Sequence, residues 1–188
     1  MARFTRAELE SYRGAEVPDL LGPDVRLLFV GINPGLWTAA TQTHFAHPVN
    51  RFYPALLKAG ILPEPIDAAA GMTDADRATV LARGVGITNL VRRATARADE
   101  LTAEELRAGA AALVATAERV RPRVVAVAGI TAYRSAFGVR LAMPGRQPEP
   151  LAGATLWVVP NPSGLNAHET VASLAEAYAA PAREAGIL

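Results

Sequence analysis

The chain has no cysteine and only one lysine, and both shortages exclude kinds of chemistry. Without cysteine there is no disulfide scaffold, no thiolate nucleophile, no iron–sulfur cluster and no zinc site with thiolate ligands. The 19 basic residues are Lys58 and otherwise arginine. Chemistry through a Schiff base needs an amine, so only Lys58 and the N-terminal amine could support it.

The chain also lacks long apolar runs and a strong charge of one sign. No stretch of about 18 apolar residues occurs, so no membrane span is expected. Residues 1–13 are charged and helix-like and lack the apolar core of a signal peptide, which predicts a cytoplasmic protein. The formal net charge of +1 argues against bulk binding of polyanions. A length of 188 residues predicts a single domain, with 1–24 as an N-terminal extension and 25–180 as the motif-bearing core.

Strand-like and helix-like segments alternate along the chain. Strands are predicted at 25–30, 84–91, 124–128 and 155–159, and helices at 50–59, 73–83, 102–120, 131–137 and 169–180. Residues 142–150 are predicted to form a loop. Alternation of this kind predicts an α/β fold, a three-layer sandwich with a short four-stranded parallel sheet between helices.

Two unusual loops follow the first and last predicted strands. "GINPG" spans residues 31–35, and "PNPSGLNAH" spans residues 160–168. Ordinary turn chemistry explains either loop alone, since Asn, Gly and Pro all favour turns. Together, they would project from the same edge of a parallel sheet and face each other across one cleft, where such sheets bind ligands.

Four motifs in order carry a resemblance to a known family. "GINPG", "HFAHPVNRFY", "GITNLVRR" and "NPSGL" together resemble the mismatch-specific uracil-DNA glycosylases and thymine-DNA glycosylases, in particular their bacterial mismatch-specific branch. The resemblance covers roughly residues 25–180 and implies the uracil-DNA glycosylase fold, which agrees with the element pattern. It also implies an enzyme that flips a nucleotide out of DNA and hydrolyses its N-glycosidic bond.

The resemblance assigns the chemistry mainly to one amide. It implies that Asn33 positions the attacking water and that Thr95 helps to hold that water. An amide oxygen can orient water but is a weak base, so a slow enzyme is expected. Asp99 is a third candidate, because a carboxylate near the sugar could activate water better. The alternative for Asp99 is a first-turn acid of the following helix.

Four further residues are candidates for binding the base. The resemblance implies that Phe45 stacks on the flipped base and that backbone amides near Ile32 and Phe45 contact a uracil carbonyl. Asn89 offers a donor and an acceptor that suit the N3–O4 edge of uracil, although a structural amide is the alternative. Thr38 stands near the expected C5 position of the base.

The last loop matches the family's DNA insertion loop. Leu165 would enter the space left by the flipped nucleotide, and Ser163 with the preceding amides would hold a phosphate. Asn161 stands where more active uracil glycosylases carry histidine, and the residues after Leu165 depart from the family pattern. The candidates for insertion and phosphate contact are Asn161, Pro162, Ser163, Gly164, Leu165 and Asn166.

The sequence thus predicts a monofunctional DNA glycosylase that excises uracil, chiefly from G·U mismatches in double-stranded DNA, as a monomer without a cofactor. A metal site at His44 and His47 is not expected, because further ligands are lacking. Two other functions remain open on the sequence: a small-molecule N-glycosidase or nucleotide-binding enzyme, and a catalytically inert module that binds damaged DNA.

Overall fold

A computed structural model describes residues 4–188 of the chain. The helices are α1 (Arg6–Glu10), α2 (Leu36–Thr41), α3 (Phe52–Lys58), α4 (Asp74–Ala82), α5 (Ala103–Val120), α6 (Ile130–Phe137) and α7 (Val171–Glu184). The strands are β1 (Leu27–Gly31), β2 (Val85–Asn89), β3 (Val124–Ala128), β4 (Gly145–Arg146) and β5 (Thr155–Val159). Short 3-10 turns cover Ala68–Ala70 and Ala98–Glu100.

One sheet with the strand order β2-β1-β3-β5-β4 forms the centre of the fold. The four five-residue strands run parallel to one another, and β4 pairs antiparallel with β5 at the edge. All five residues of β1 and of β3 are buried, as expected for central strands covered on both faces.

The sheet has an apolar core on each face, because successive side chains of a strand point to opposite sides. Leu27 and Phe29 of β1 pack in a cluster with residues of α3, α4 and α7. Leu28 and Val30 pack in a second cluster with residues of α5 and α6. The predicted three-layer α/β class is therefore confirmed.

The element bounds follow the sequence pattern closely, with a few differences. The predicted capping pairs of α4 (Thr73 with Asp76) and α5 (Thr102 with Glu105) are present. The segment predicted as a loop, 142–150, contains β4, so the sheet has a fifth strand. This strand is only two residues long, too short to show an alternating pattern.

Two helices also differ from expectation. The last helix begins at Val171 after the cap Thr170, and it continues through Pro181 to Glu184. The short helix α2 was not predicted, since its cap is Gly35 and no side chain bonds to its first turn. Within residues 4–188, no helix is both long and apolar enough to cross a membrane.

Candidate active site

A cleft of about 610 Å³ opens at the carboxyl edge of the parallel strands. The loops that follow β1, β2 and β5 meet there, as the sequence predicted for the two unusual loops. Every candidate residue except Pro162 lines the cleft: Ile32, Asn33, Thr38, Phe45, Asn89, Thr95, Asp99, Asn161, Ser163, Gly164, Leu165 and Asn166. Pro162 is buried beneath the last loop.

The amide of Asn33 has only its oxygen available to the cleft. Its two Nδ2 hydrogens are shared among three acceptors, the carbonyl oxygens of Arg93 (3.0 Å) and Pro34 (3.1 Å) and Oγ1 of Thr95 (2.8 Å). Because carbonyl oxygens can only accept, these partners determine which end of the amide is nitrogen. The remaining group, Oδ1, is an acceptor that can orient a water but cannot donate to a leaving group.

The buried side chain of Thr95 contacts the Asn33 amide. Its side chain is almost fully buried, and its hydroxyl donates to the carbonyl of Arg97 at 2.7 Å. With its one hydrogen used in this way, the hydroxyl accepts from Asn33. These contacts favour Thr95 as a residue that positions Asn33, and its predicted role in holding the water stays a prediction.

An ion pair stabilises the segment that receives the Asn33 amide. The guanidinium of Arg93 donates to both carboxylate oxygens of Glu105 in the first turn of α5. Hydrogen bonds from Arg93 lower the pKa of Glu105 to about 2, so the pair stays ionised near neutral pH. The Arg93 carbonyl that accepts from Asn33 therefore lies in a segment tied to α5.

Asp99 also lines the cleft, but its carboxylate is engaged by a neighbouring arginine. It belongs to the 3-10 turn Ala98–Glu100, and its carboxylate pairs with Arg97 at 2.6 Å with most of the side chain exposed. Both carboxylate oxygens of Asp99 accept from the Arg97 guanidinium, at 3.1 and 2.6 Å. The predicted catalytic role of Asp99 stays a prediction, and its geometry gives it less support than Asn33 receives.

Phe45 provides an aromatic wall of the cleft. Its ring stacks on that of Phe52 with centroids 4.1 Å apart. Its backbone has a φ of 56°, which is uncommon for a residue with a Cβ and occurs where the surroundings enforce it. A methyl group at Gly31 would lie 3.2 Å from this ring, so the absence of a side chain at Gly31 leaves room for it.

Asn89, the last residue of β2, is oriented by His44. The ring of His44 is 4% exposed, and burial lowers its pKa, which keeps the imidazole neutral at physiological pH. Nε2 lies 2.9 Å from the carbonyl of Pro18 and must therefore carry the hydrogen. Nδ1 is then an acceptor, and the Asn89 amide nitrogen donates to it at 3.1 Å. This places Asn89 Oδ1 beside Gly31, where an added methyl group would lie only 2.4 Å away.

The remaining base-binding candidates, Thr38 and Ile32, also line the cleft. Thr38 lies on α2 and is 5% exposed. Ile32 follows β1 directly, and its carbonyl accepts from the backbone of Val91 at 3.0 Å. These backbone bonds connect the first loop to the segment after β2.

The last loop presents Leu165 to solvent. The side chain of Leu165 is 89% exposed. The loop is shaped locally: Asn161 Oδ1 accepts from the Ser163 amide at 3.0 Å, and Asn166 Nδ2 donates to the Asn161 carbonyl at 3.1 Å.

Comparison with known proteins agrees with this geometry. The family model of the uracil DNA glycosylase superfamily matches residues 18–181. The chain belongs to this superfamily. The solution NMR structure of a candidate uracil DNA glycosylase from Methanosarcina acetivorans is similar in fold, with a TM-score of 0.64 and 18% identity over 93% of this chain and 98% of that chain.

Superfamily membership supports a DNA glycosylase role for this chain, with DNA as the partner. Lys58 is exposed at the last turn of α3 and is not a lining residue. Over residues 4–188, no group of three or more His, Asp or Glu residues could hold a metal ion.

Sequence reasoning overlooked two residues that organise this glycosylase-like cleft. His44 was considered only as a metal ligand, whereas it holds the amide of Asn89. Arg51 lies in the same motif, and the sequence predicts no role for it. Its guanidinium donates to three backbone carbonyls in and directly after the last loop. Both His44 and Arg51 belong to the motif "HFAHPVNRFY", which marks them as candidates. The motif does not indicate their partners, because these lie far away in the sequence.

Proposed function

We propose that this protein is a monofunctional DNA glycosylase that hydrolyses the N-glycosidic bond of uracil in double-stranded DNA, chiefly in G·U mismatches, as members of the bacterial mismatch-specific branch do. The observation that carries the proposal is the fixed amide of Asn33, whose only remaining polar group is an acceptor at the mouth of the cleft. This arrangement suits the orientation of a water molecule toward a sugar carbon.

The reaction needs little more than that water and stabilisation of charge. As the bond from C1′ to uracil N1 breaks, its electron pair leaves with uracil, and the sugar acquires oxocarbenium character. The water held by Asn33 Oδ1 adds to C1′ and loses a proton to solvent. The uracil anion takes up a proton, and an abasic sugar remains. Asn161 supplies no ionisable donor to the leaving group, so the proposed enzyme is slow.

Recognition of the base is assigned to Phe45 and Asn89. The Phe45 ring, supported from behind by Phe52, is placed to stack on a flipped pyrimidine. The Asn89 amide, oriented by His44, offers its second N–H and its oxygen to the polar edge of uracil. Because neutral His44 fixes the orientation of the Asn89 amide, the amide cannot turn over to match a base with the opposite pattern of donors and acceptors.

Insertion into the duplex is assigned to the exposed Leu165. An apolar side chain at the tip of a polar loop can occupy the gap left by a flipped nucleotide. Ser163 and the neighbouring backbone lie where a phosphate would be held. This combination favours DNA over a free nucleoside as the substrate. The fixed orientation of Asn33 favours an enzyme over an inert binding module, because binding alone does not need an oriented water.

The proposal is tested with purified protein, chelator and duplexes that carry a single G·U, A·U or G·T pair. We expect uracil release from G·U duplex in the presence of EDTA, with strand breaks appearing only after alkali. Borohydride should trap no covalent complex, because no lysine lines the cleft among residues 4–188. Release from free deoxyuridine instead of DNA would support a small-molecule N-glycosidase, and binding without release would support an inert module.

A monomer in the cytoplasm and a single domain remain expectations of the same proposal. Size-exclusion chromatography with light scattering of the free protein and of its DNA complex tests whether the protein is a monomer. One protein per duplex is the expected stoichiometry, since twelve of the thirteen candidate residues line one cleft on one chain.

A further inference from the structure

Arg51 connects the two sides of the cleft although it does not line it. It precedes α3, and its backbone N–H donates to the carbonyl of Pro162 at 3.0 Å. Its guanidinium donates to the carbonyls of Ser163 (2.9 Å), Asn166 (3.0 Å) and Glu169. Four bonds from one residue therefore reach the loop that carries Leu165.

The loop has little else that attaches it to the body of the protein. Residues 163–169 form no regular element, and none of them is buried. The bonds among Asn161, Ser163 and Asn166 shape the loop from within but do not dock it. Beyond Arg51, two bonds from α7 hold the ends of the loop: the Tyr178 hydroxyl donates to the carbonyl of Pro160 at its start, and the Ser173 hydroxyl donates to the Glu169 carboxylate at its end.

A close contact shows that the loop lies directly against the segment before Arg51. A methyl group at Gly164 would lie 2.4 Å from Cγ2 of Val49 and 2.8 Å from the Val49 carbonyl oxygen. Only glycine allows this approach without displacement of the backbone. Val49 and Arg51, which follow Phe45 in the chain, therefore both contact the loop that carries Leu165.

The chemistry of Arg51 suits this task. A guanidinium presents five donors in a planar fork and can bond several carbonyls at once, whereas the ammonium of lysine cannot reproduce that geometry. Among residues 4–188, no carboxylate forms an ion pair with Arg51. Its charge is directed entirely to the loop carbonyls.

We infer that Arg51 is a positioning residue that holds Leu165 in place for insertion into duplex DNA. The inference rests on the proposed function. Asn33 and Arg51 then act in different steps. Asn33 acts in the hydrolysis of any flipped uracil, and Arg51 acts only when the duplex is opened. Loss of Arg51 therefore affects double-stranded substrate far more than single-stranded substrate.

The test compares Arg51→Met, Arg51→Lys and the control Arg146→Met on uracil in duplex and in single-stranded DNA. Arg146 lies in β4 and pairs with Glu184 at the surface, outside the cleft. We expect Arg51→Met to lose about 10²-fold in single-turnover rate on duplex, the typical effect of a misplaced group, and only a few-fold on single strands. Arg51→Lys should recover little, and the control should match the wild type.

A double variant shows whether Arg51 acts through Leu165. In a Leu165→Ala background, Arg51→Met should add little further loss on duplex, because both changes remove the same insertion. Equal losses of Arg51→Met on the two substrates, or full additivity with Leu165→Ala, would overturn the inference.

A readout without catalysis separates this inference from the proposed function. Chymotrypsin should cut after Leu165 faster in Arg51→Met than in the wild type, with circular dichroism showing the same folded content. Unchanged cleavage would contradict the docking role of Arg51. A wild type that releases no uracil from any DNA would instead contradict the proposed function, whatever the proteolysis shows.

Discussion

At the scale of single residues, the candidate site depends on amides whose orientation is determined by their neighbours. Asn33 has both N–H groups occupied by backbone and hydroxyl acceptors, and Asn89 has one N–H on a neutral histidine. An amide can rotate by half a turn at little cost when its partners are ambiguous. Here the acceptors are carbonyls and an unprotonated ring nitrogen, so each amide has one stable orientation.

Asn33→Ala should lower the rate of uracil excision from G·U duplex by about 10²–10³-fold, the usual effect of removing one orienting polar group. DNA binding should persist, because the cleft walls and the last loop are untouched. Single-turnover rates and binding titrations of the variant measure both effects.

Asp99→Asn is the matched comparison for Asn33→Ala. If Asn33 alone positions water, Asp99→Asn should keep near-normal activity and the rate should show no acidic limb, since an amide does not titrate. Two results together would show that the Asp99 carboxylate also activates water: a wild-type rate that rises through an acidic pKa, and a strong loss of rate in Asp99→Asn. Full activity of Asn33→Ala would contradict both schemes.

Thymine should be excised more slowly than uracil, because Thr38 is a buried lining residue whose side-chain methyl group would crowd the C5 methyl group of thymine. A close apolar contact discriminates one methyl group by roughly 10–200-fold, so we expect a bias of that size in kcat/KM. Thr38→Ser should reduce the bias by removing the side-chain methyl group. Comparable rates on G·T and G·U for the wild-type protein would show that Thr38 does not face C5 of the base.

At the scale of elements, the site is a meeting of strand ends and loops. The loops after β1, β2 and β5 converge because these strands are parallel and their carboxyl ends lie at one edge. The rigid sheet sets the distance between them, and the loops carry the polar groups. The loop after β5 is the least buried of the three, and it carries the most exposed candidate side chain.

Leu165→Ala should weaken the opening of the duplex and spare the chemical step. Removal of a wedge gives up part of the compensation for unstacking, which amounts to a few kcal/mol per base step. Single-stranded DNA needs less of that compensation, so the ratio of duplex to single-strand rates should fall. An unchanged ratio would indicate that Leu165 has no part in insertion.

At the scale of the whole molecule, segments far apart in the chain support the cleft together. The N-terminal segment supplies the Pro18 carbonyl to His44, and its Ala15 carbonyl accepts from the Ala94 amide next to Thr95. Helix α5 holds Arg93 through Glu105. Perturbation of these distant contacts should therefore reach the site through the amides of Asn33 and Asn89.

Stability should decrease as pH falls below about 6.5, in part because of His44. Burial lowers the pKa of this ring; the hydrogen bond to the Pro18 carbonyl and the charge of Asp19 oppose the decrease, and the charges of Arg77 and Arg92 add slightly to it. The unfolded chain then binds the proton more readily than the folded protein, so acid favours unfolding, by at most about 1.4 kcal/mol per pH unit for this one group. The loss continues until pH reaches the lowered folded-state pKa.

Urea unfolding at pH 7.5 and 5.5 measures this effect. His44→Gln, which cannot titrate, should show a smaller decrease in the free energy of unfolding between the two values than the wild type. His168→Gln serves as the control, because His168 is exposed in the last loop. The same decrease in wild type and His44→Gln would mean that His44 is not responsible.

The sequence alone determined the class of fold and the composition of the cleft. Strands β3 and β5 have the predicted bounds, because a continuous β-branched run and a short apolar run between turns are local patterns. Twelve of the thirteen candidate residues line one cleft, since motifs after parallel strands must meet at one edge of the sheet. The short strand β4 and the continuation of α7 through Pro181 escaped local rules because pairing and packing decide them.

Only the tertiary structure decided how the cleft residues are held. Asn33 finds Arg93 sixty residues away, Asn89 finds His44 at a separation of 45, and Arg51 reaches Ser163 at a separation of 112. Periodicity and capping describe neighbours within a few residues, whereas these bonds depend on where distant loops cross. Composition and motif order therefore identified the groups, and the packing of the sheet and loops determined which atoms of each group remain available for chemistry.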